Sequence, residues 1–427
     1  MEAKQLSIGL FGFGTIGAGV VNTLNVNADI IAAKTGVRIV MKQIVDIDTE
    51  TDRGVELGTA KLGTDASSII DDDSITIVIE LIGGSGIAKE IVEKCLSAGK
   101  HVVTANKELI AKHGPELDAL ARENGVHLLF EASVGGGIPI LTPLLSCLRA
   151  NRIDRVLGIV NGTTNFILSE MESGGASFDD ILKKAQELGY AEADPTNDIE
   201  GFDAAYKASI LSAVSFGKHV DATGFPREGI TGISREEMDF ARELGYTIKL
   251  LAVLEDKPEG ADVRVHPTLL PKSHPLSSIH GVMNAVYLEG EPIGPLMFVG
   301  RGAGPDATSS AVIGDVIEIA TRNPGEDDYS PRIFNKAAVA SIDNVENKFY
   351  LRIQVEDRAG VLSELGSSLG KNNVSLEQVV QKALKENKAE LVLLTHLTRE
   401  ADMKSALKDI RALDCVFKVI SVLRVFE

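Results

Sequence analysis

The chain of 427 residues is long enough for roughly three domains, and its 44% hydrophobic and 24% charged residues are those of an ordinary soluble globular protein. A formal net charge of −18 argues against binding of nucleic-acid phosphates. The three cysteines, Cys95, Cys147 and Cys415, lie far apart with no His or Cys at metal-ligand spacing, so no disulfide framework is expected. The N-terminus has no signal-peptide pattern and no apolar run approaches the ~18 residues of a membrane span, so a cytoplasmic protein without membrane contact is expected.

Residues 6–11 form a short apolar run, followed at once by Gly12-Phe13-Gly14-Thr15-Ile16-Gly17 and a helical pattern over 18–24. Strand, glycine-rich turn and helix in this order are what a dinucleotide fingerprint requires. The first glycine makes the turn, the second admits the pyrophosphate, and the third lets helix pack on strand. A second apolar run, 37–45, ends at Asp46. An acid at this strand end binds the adenosine ribose hydroxyls and repels a 2′-phosphate, which points to NAD; Arg53 nearby points the other way. Both could instead be surface loop charges.

Residues 75–81 read as a strand bearing Glu80, followed by Gly83-Gly84, a helix over 87–98, a strand over 101–104, and a helix capped near Asn106-Lys107-Glu108. The alternation predicts a doubly wound parallel sheet, whose ligands bind at the carboxyl ends of strands. Gly83, Thr104, Asn106 and Lys107 fall at such ends. A strand over 126–130 runs into Glu131-Ala132-Ser133-Val134-Gly135-Gly136-Gly137-Ile138. Three successive glycines predict unusual backbone. Its exposed carbonyls could hold a monovalent cation, or the segment could be a close-packed hinge.

From Arg155 the pattern changes to an α+β region. A strand over 156–160 ends in Asn161-Gly162-Thr163-Thr164-Asn165, and helices follow over 166–172 and 178–188. In the segment 187–207, Pro195 blocks helix continuation, and Asn197 or Asp198 can cap a new helix. On that helix Asp203 and Lys207 are four apart and share a face. With Glu192, Asp194 and Asp198 in the loop before it, the segment could hold a small zwitterion beside a proton-transferring lysine; it could also be a solvated acidic loop. Residues 248–297 mix strands and turns. Gly300-Arg301-Gly302-Ala303-Gly304 then precedes a helix over 307–321, either closing over the cofactor or crossing back to the first domain.

A polar linker is expected over 341–348. Beyond it, alternating Phe349, Leu351, Ile353 and Val355 open a strand. Turn signals and periodicity continue as a helix over 361–369, a strand over 374–382, a hairpin at Glu386-Asn387, a strand over 391–397, a helix from Ala401 and a strand over 416–425. This βαββαβ order is ferredoxin-like. The expected domains are 1–150, a dinucleotide-binding (Rossmann-type) domain completed by 305–340; 151–304, an α+β substrate and dimerisation domain; and 349–427.

These motifs together, from Gly12–Gly17 through Thr104–Lys107, Glu131–Gly137, Asn161–Asn165 and Gly189-Tyr190-Ala191-Glu192-Ala193-Asp194-Pro195 to Asp203, Lys207 and Gly302–Gly304, resemble a homoserine dehydrogenase with a C-terminal ACT domain over essentially the whole chain. The resemblance implies reversible oxidation of L-homoserine to L-aspartate 4-semialdehyde with NAD or NADP. It implies Lys207 as the acid/base and Lys107 as its partner at the reacting oxygen and nicotinamide. Glu192 and Asp203 would hold the substrate ammonium, with Asp198 near it; Gly189 and Gly304 would contact cofactor. Glu131, Val134, Gly136 and Ile138 resemble the family's sodium site, three of them through backbone carbonyls. The ACT resemblance implies an amino-acid effector, threonine, at Asp357, Gly360, Val361 and Asn373, and a homo-oligomer, dimer or tetramer. Asp46 stands where many members have an arginine. A fused aspartokinase is not expected, because no kinase-length segment precedes Met1. Two other readings remain: another amino-acid dehydrogenase on the same fold, which should lack the Glu192–Lys207 pattern, and a non-catalytic amino-acid sensor, which should have lost Lys107 or Lys207.

Overall fold

The computed structural model describes residues 4–322, 333–383 and 387–426. Six parallel strands come first: β1 (Lys4–Phe11), β2 (Val37–Val45), β3 (Lys61–Gly63), β4 (Ile75–Glu80), β5 (His101–Thr104) and β6 (Leu128–Leu129). Their order, β3-β2-β1-β4-β5-β6, reverses between β1 and β4. It is the doubly wound order that opens a ligand crevice at the carboxyl ends of those two strands. Ile8, Leu10, Ile77 and Ile79 are fully buried, as central strands covered on both faces require.

The helix Thr15–Thr35 is much longer than the 18–24 pattern, because Asn22, Asn25 and Asn27 break the linear apolar run without breaking the helix. By length and composition it reaches what a membrane span needs, contrary to the expectation above. Its Val20, Val21, Leu24 and Ile31 nevertheless pack into one core with Ile8, Ile39 and Ile79 of the sheet and with Val312 and Val316 of the helix Pro305–Thr321. The helix Pro305–Thr321 thus returns to the first sheet. The remainder of the expected return segment includes residues 323–332, which lie outside the described residues. The strand expected over 126–130 shortens to two residues, since Phe130 already bends into the one-turn 3-10 helix Glu131–Ser133.

The second sheet begins at β7 (Arg152–Ile159). The two-residue β8 (Lys218–His219) stands apart, and β9 (Tyr246–Lys257), β10 (Gly260–Pro271), β11 (Met283–Glu291) and β12 (Gly294–Arg301) complete the order β12-β11-β7-β9-β10. The helices Gly162–Gly174 and Phe202–Phe216 lie against it. The second of these does not start where expected. Asn197 and Asp198 sit inside a separate four-residue helix, Thr196–Ile199. Gly201, left-handed at φ 79°, breaks the chain there and occupies the N-cap position of Phe202–Phe216.

β13 (Asn335–Lys336) pairs with β8. The C-terminal strands are β14 (Glu346–Glu356), β15 (Leu376–Ala383), β16 (Lys388–Thr395), the short β17 (Thr398–Arg399) and β18 (Val416–Val425), with helices Val361–Lys371 and Glu400–Arg411. Their order, β18-β14-β16-β15, is ferredoxin-like. Asn387 turns with φ 57°, whereas Glu386 of the expected hairpin lies outside the described residues. Residues 341–348 do not form a free tether, because Ile342–Asn344 is a 3-10 turn and Glu346 already opens β14. β18 also pairs in parallel with β10, Thr268 opposite Arg424 and Leu269 opposite Val425. The two sheets are therefore one continuous surface.

Ion pairs pin this junction. The Arg352 guanidinium donates to Glu237 at 2.7 Å and to Glu390 at 2.6 Å, and all three residues are buried. Ser421 adds a donor to Glu237 at 3.0 Å. Deleting one member of such a group strands its partners as uncompensated buried charges, at a cost of about 3–5 kcal/mol. Arg352→Ala should lower the unfolding free energy by that order in denaturant titrations. Arg352→Met combined with Glu237→Gln and Glu390→Gln should recover most of the loss. A single-variant loss below ~1 kcal/mol would show that the junction does not depend on the arginine.

Candidate active site

The site forms where the crevice of the first sheet meets the helices of the second. Lys107 opens the helix Lys107–Glu123 after β5, and Asn106 caps that helix by accepting from the Leu109 amide at 3.0 Å. Lys107 then reaches across to Asp203, Nζ to Oδ1 at 2.8 Å. Lys207, one turn beyond Asp203 on its own helix, donates to Asp203 Oδ2 at 2.6 Å and to the Val160 carbonyl at 2.7 Å. One buried carboxylate thus holds two ammonium groups from different parts of the chain.

The acidic loop is sorted by the same geometry. Asp198 turns inward and accepts from Asn161 Nδ2 at 2.7 Å. Asp194 turns away, accepting from the backbone and hydroxyl of Thr196. Glu192 is exposed, yet its charge acts on Lys107. Lys107, Lys207, Asp198 and Asp203 are therefore brought together, Glu192 stays exposed in the loop beside them, and Asp194 is left out.

The two lysines are displaced in opposite directions. Asp203 holds the Lys107 pKa above its ordinary value, outweighing burial. Burial pushes the Lys207 pKa down, and the positive charge of Lys107 adds to this, while Asp203 opposes it. Burial alone would raise the Asp203 pKa, but Lys207 and Lys107 hold it below the usual carboxylate range. Burial, then the negative charge of Asp203, raises the pKa of Asp198. Such separation of neighbouring groups marks a site able to move a proton.

The first sheet supplies a dinucleotide cradle. A Cβ on Gly14 would meet open space, whereas one on Gly17 would lie 2.2 Å from the Gly12 carbonyl. The second glycine therefore leaves room for phosphates and the third packs the turn. Gly14 occupies the N-cap position of Thr15–Thr35, whose first amides and dipole favour an anion. The residues present fit an NAD(P) pyrophosphate. Asp46 lies at this mouth, accepting from the Phe13 amide at 2.5 Å and the Asp48 amide at 2.8 Å. Arg53 is held by Asp48 at 3.1 Å and stacks over the Phe13 ring, 5.0 Å from its centre.

Glu80 carries more of the site than its sequence position indicated. Fully buried at the end of β4, it accepts from the Thr104 hydroxyl at 2.6 Å and the Ile82 amide at 2.7 Å. Thr104 in turn accepts the Asn106 amide at 2.9 Å, and Asn106 Nδ2 donates to the Gly84 carbonyl at 2.6 Å. Glu80 thus ties the Gly83-Gly84 turn to the start of the Lys107 helix. A buried acid inside an apolar strand was the available signal. Asn161 was legible only as part of a motif.

The remaining expectations sort differently. Gly189 ends the turn after Phe178–Glu187, and Gly304 precedes Pro305 at the start of the return helix. The glycine run packs closely: a Cβ on Gly136 would fall 2.5 Å from the Gly302 carbonyl, which favours the hinge reading of that stretch. The Glu131 carboxylate accepts from the amides of Ile140, Leu141 and Thr142 at 2.6–2.9 Å. It caps the short helix Leu141–Leu145, because a buried carboxylate takes the nearest unpaired amides. Val134 and Ile138 are buried beside it. Among the described residues, no group of three or more His, Cys, Asp or Glu is placed to hold a metal ion. In the C-terminal module, Asp357 and Gly360 form the turn before Val361–Lys371, and Asn373 turns with φ 58°. The Val361 side chain is packed into that module's core and leaves only its backbone to a ligand.

A dinucleotide cradle opening onto two lysines held by one buried carboxylate is the arrangement of an NAD(P)-dependent oxidoreductase. Residues 139–317 match the family model described as homoserine dehydrogenase, residues 12–131 that of the homoserine dehydrogenase NAD-binding domain, and residues 349–415 the ACT domain. A homoserine dehydrogenase of Neisseria gonorrhoeae is 42% identical over 99% of this chain and 98% of its own length; one of Bacillus subtilis is 40% identical over 99% and 98%. The crystal structure of a homoserine dehydrogenase from Thiobacillus denitrificans superposes with a TM-score of 0.95 at 40% identity, covering 99% of both chains. A hyperthermophilic archaeal homoserine dehydrogenase in complex with NADPH superposes with a TM-score of 0.60 at 30% identity, over 75% of this chain and 99% of its own. The chain belongs to the homoserine dehydrogenase family and carries an ACT domain.

Proposed function

We propose that this chain oxidises L-homoserine reversibly to L-aspartate 4-semialdehyde, with Lys207 as the proton-transfer group. The observation that carries this reading is the opposite displacement of two lysines on one carboxylate. The dinucleotide, when bound, supplies the hydride acceptor. As hydride leaves C4 of homoserine, the hydroxyl proton passes to the neutral amine of Lys207, whose lowered pKa makes that form accessible. Lys107 remains charged and stabilises the developing negative oxygen. Glu192, Asp198 and Asp203 receive the substrate ammonium. The enzyme serves threonine, methionine and isoleucine biosynthesis in the cytoplasm.

Asp46 supports use of NAD at least as well as NADP, because its carboxylate stands at the ribose end of the cradle. Arg53, engaged with Asp48 and stacked on Phe13, is the group through which a 2′-phosphate could still be accommodated. The ACT module responds to an amino acid, threonine, at the turn of Asp357, Gly360 and Asn373. β18 of the module already pairs with β10 of its own chain, so a second copy would pair through the opposite outer strand, β15.

Lys207→Ala should retain the fold and NAD(P) binding but lose roughly 10²–10⁴-fold in kcat. Near-normal turnover would remove Lys207 from the proton-transfer step, and unchanged homoserine binding by calorimetry in Glu192→Ala and Asp203→Ala would remove the ammonium assignment. For the cofactor, wild-type kcat/KM should be at least as high with NAD as with NADP, and Asp46→Arg should shift it toward NADP. A clear wild-type preference for NADP overturns this and makes Arg53 the determinant. Millimolar threonine should inhibit the full chain, which light scattering should show to be at least dimeric. A preference of ~10-fold for the less active state corresponds to about 1.4 kcal/mol of coupling. No inhibition, with a dimer present, would leave the module an assembly role only, and a monomer would remove the pairing through β15.

A further inference from the structure

Asn161 sits where β7 gives way to the helix Gly162–Gly174, and it is buried. Its Nδ2 donates to two different carboxylates, to Asp198 at 2.7 Å and to Asp203 at 2.9 Å. Its Oδ1 accepts from the Thr164 amide at 2.8 Å and the Thr164 hydroxyl at 3.0 Å, capping the helix. The orientation of the amide is thereby fixed, because a flipped amide would aim its oxygen at two carboxylates.

We propose that Asn161 is a positioning residue that locks Asp198 and Asp203 side by side as a paired receptor for the substrate ammonium. This rests on the reading of that cluster as the homoserine ammonium site. Two carboxylates that share one amide repel, which favours protonation of one of them, and a donor shared between them opposes this. The amide hydrogens are that donor. They add no further positive charge to a cluster in which Lys107 and Lys207 already face Asp203. The charged groups facing the pair are Lys207 on the helix of Asp203 and Lys107 from the first domain, with Glu192 exposed in the loop and acting on Lys107. None of them bridges Asp198 to Asp203 as Asn161 does. Asn161 also couples this receptor to the helix start, so the pair moves with the second sheet's scaffold.

Asn161→Asp separates positioning from folding, because aspartate is also a good N-cap but cannot donate. It places a third carboxylate against the pair. The expected result is at least a ~10-fold rise in homoserine KM, corresponding to about 1.4 kcal/mol, and a shift of the acid limb of kcat/KM to higher pH. NADH binding, followed by fluorescence enhancement, should be unchanged. Asn161→Ser keeps a cap but is too short to reach both acids; it should raise KM without moving the acid limb upward. Homoserine KM and acid limb both within twofold of wild type in Asn161→Asp would overturn the proposal, as would an unchanged KM in Asn161→Ser. Asp198→Asn and Asp203→Asn identify which reading has failed. If both bind homoserine normally, the ammonium site itself is misassigned. If both lose binding while Asn161→Asp does not, only the positioning role is wrong.

Discussion

The carboxylate of Asp203 is the constraint on which this structure depends. It lies buried with one oxygen toward Lys107 and the other toward Lys207 and Asn161. Taking the Lys207 ammonium and the Asp203 carboxylate out of water is expensive, and it is tolerated only where geometry and extra hydrogen bonds are good. Here Lys107 comes from a helix after β5, Asn161 from the end of β7, and Asp203 and Lys207 from one helix on the second sheet. The dinucleotide layer and the substrate layer are therefore held to one relative placement. The unequal surroundings of the two lysines then separate their chemistry: the more enclosed Lys207 loses its proton more readily, and the half-exposed Lys107 keeps it.

Buried polar groups around this cluster hold it without touching it. Glu80 fixes the two turns that launch Lys107. Lys249, fully buried on β9, donates to Asn165, to Ser169 and to the Ile279 carbonyl, and so ties the helix that begins beside Asn161 to the sheet beneath it. Burial lowers the Lys249 pKa to about 8, which shows how dry that layer is. Each of these groups has its partners satisfied, as a low-dielectric interior demands.

The C-terminal module leans on the same region. Arg424 of β18 bridges Glu400 of its own module and Glu228 of the catalytic layer. The chain around Glu228 in turn bonds to Val265 of β10, and Ile230 bonds to Ile199, immediately before the break at Gly201. A path of strand pairing, an ion pair and backbone hydrogen bonds therefore runs from the module's sheet to the segment that presents Asp198 and Asp203. Continuity of the sheet makes the module part of the catalytic scaffold, where an ordinary tether would have left it independent.

Much of this was legible in the linear sequence. The Gly12–Gly17 turn, the alternation of strand and helix, the shared face of Asp203 and Lys207, and the βαββαβ order of the last module are local or periodic signals, written by the backbone geometry of single elements. Long-range pairing is not written that way. Nothing in the spacing of Lys107 and Asp203 showed that they would meet, nor that Glu131 would spend its carboxylate on amides nine to eleven residues on. The start of the second catalytic helix was misplaced because the left-handed Gly201, and not a polar cap, sets it. The union of β10 with β18 was invisible, since a strand's partner depends on which edge is left open once the rest has packed. Sequence alone determined the elements and the types of group available for chemistry. The tertiary structure decided which carboxylate faces which ammonium, and hence which lysine has its pKa lowered, because burial and distance exist only after distant segments meet.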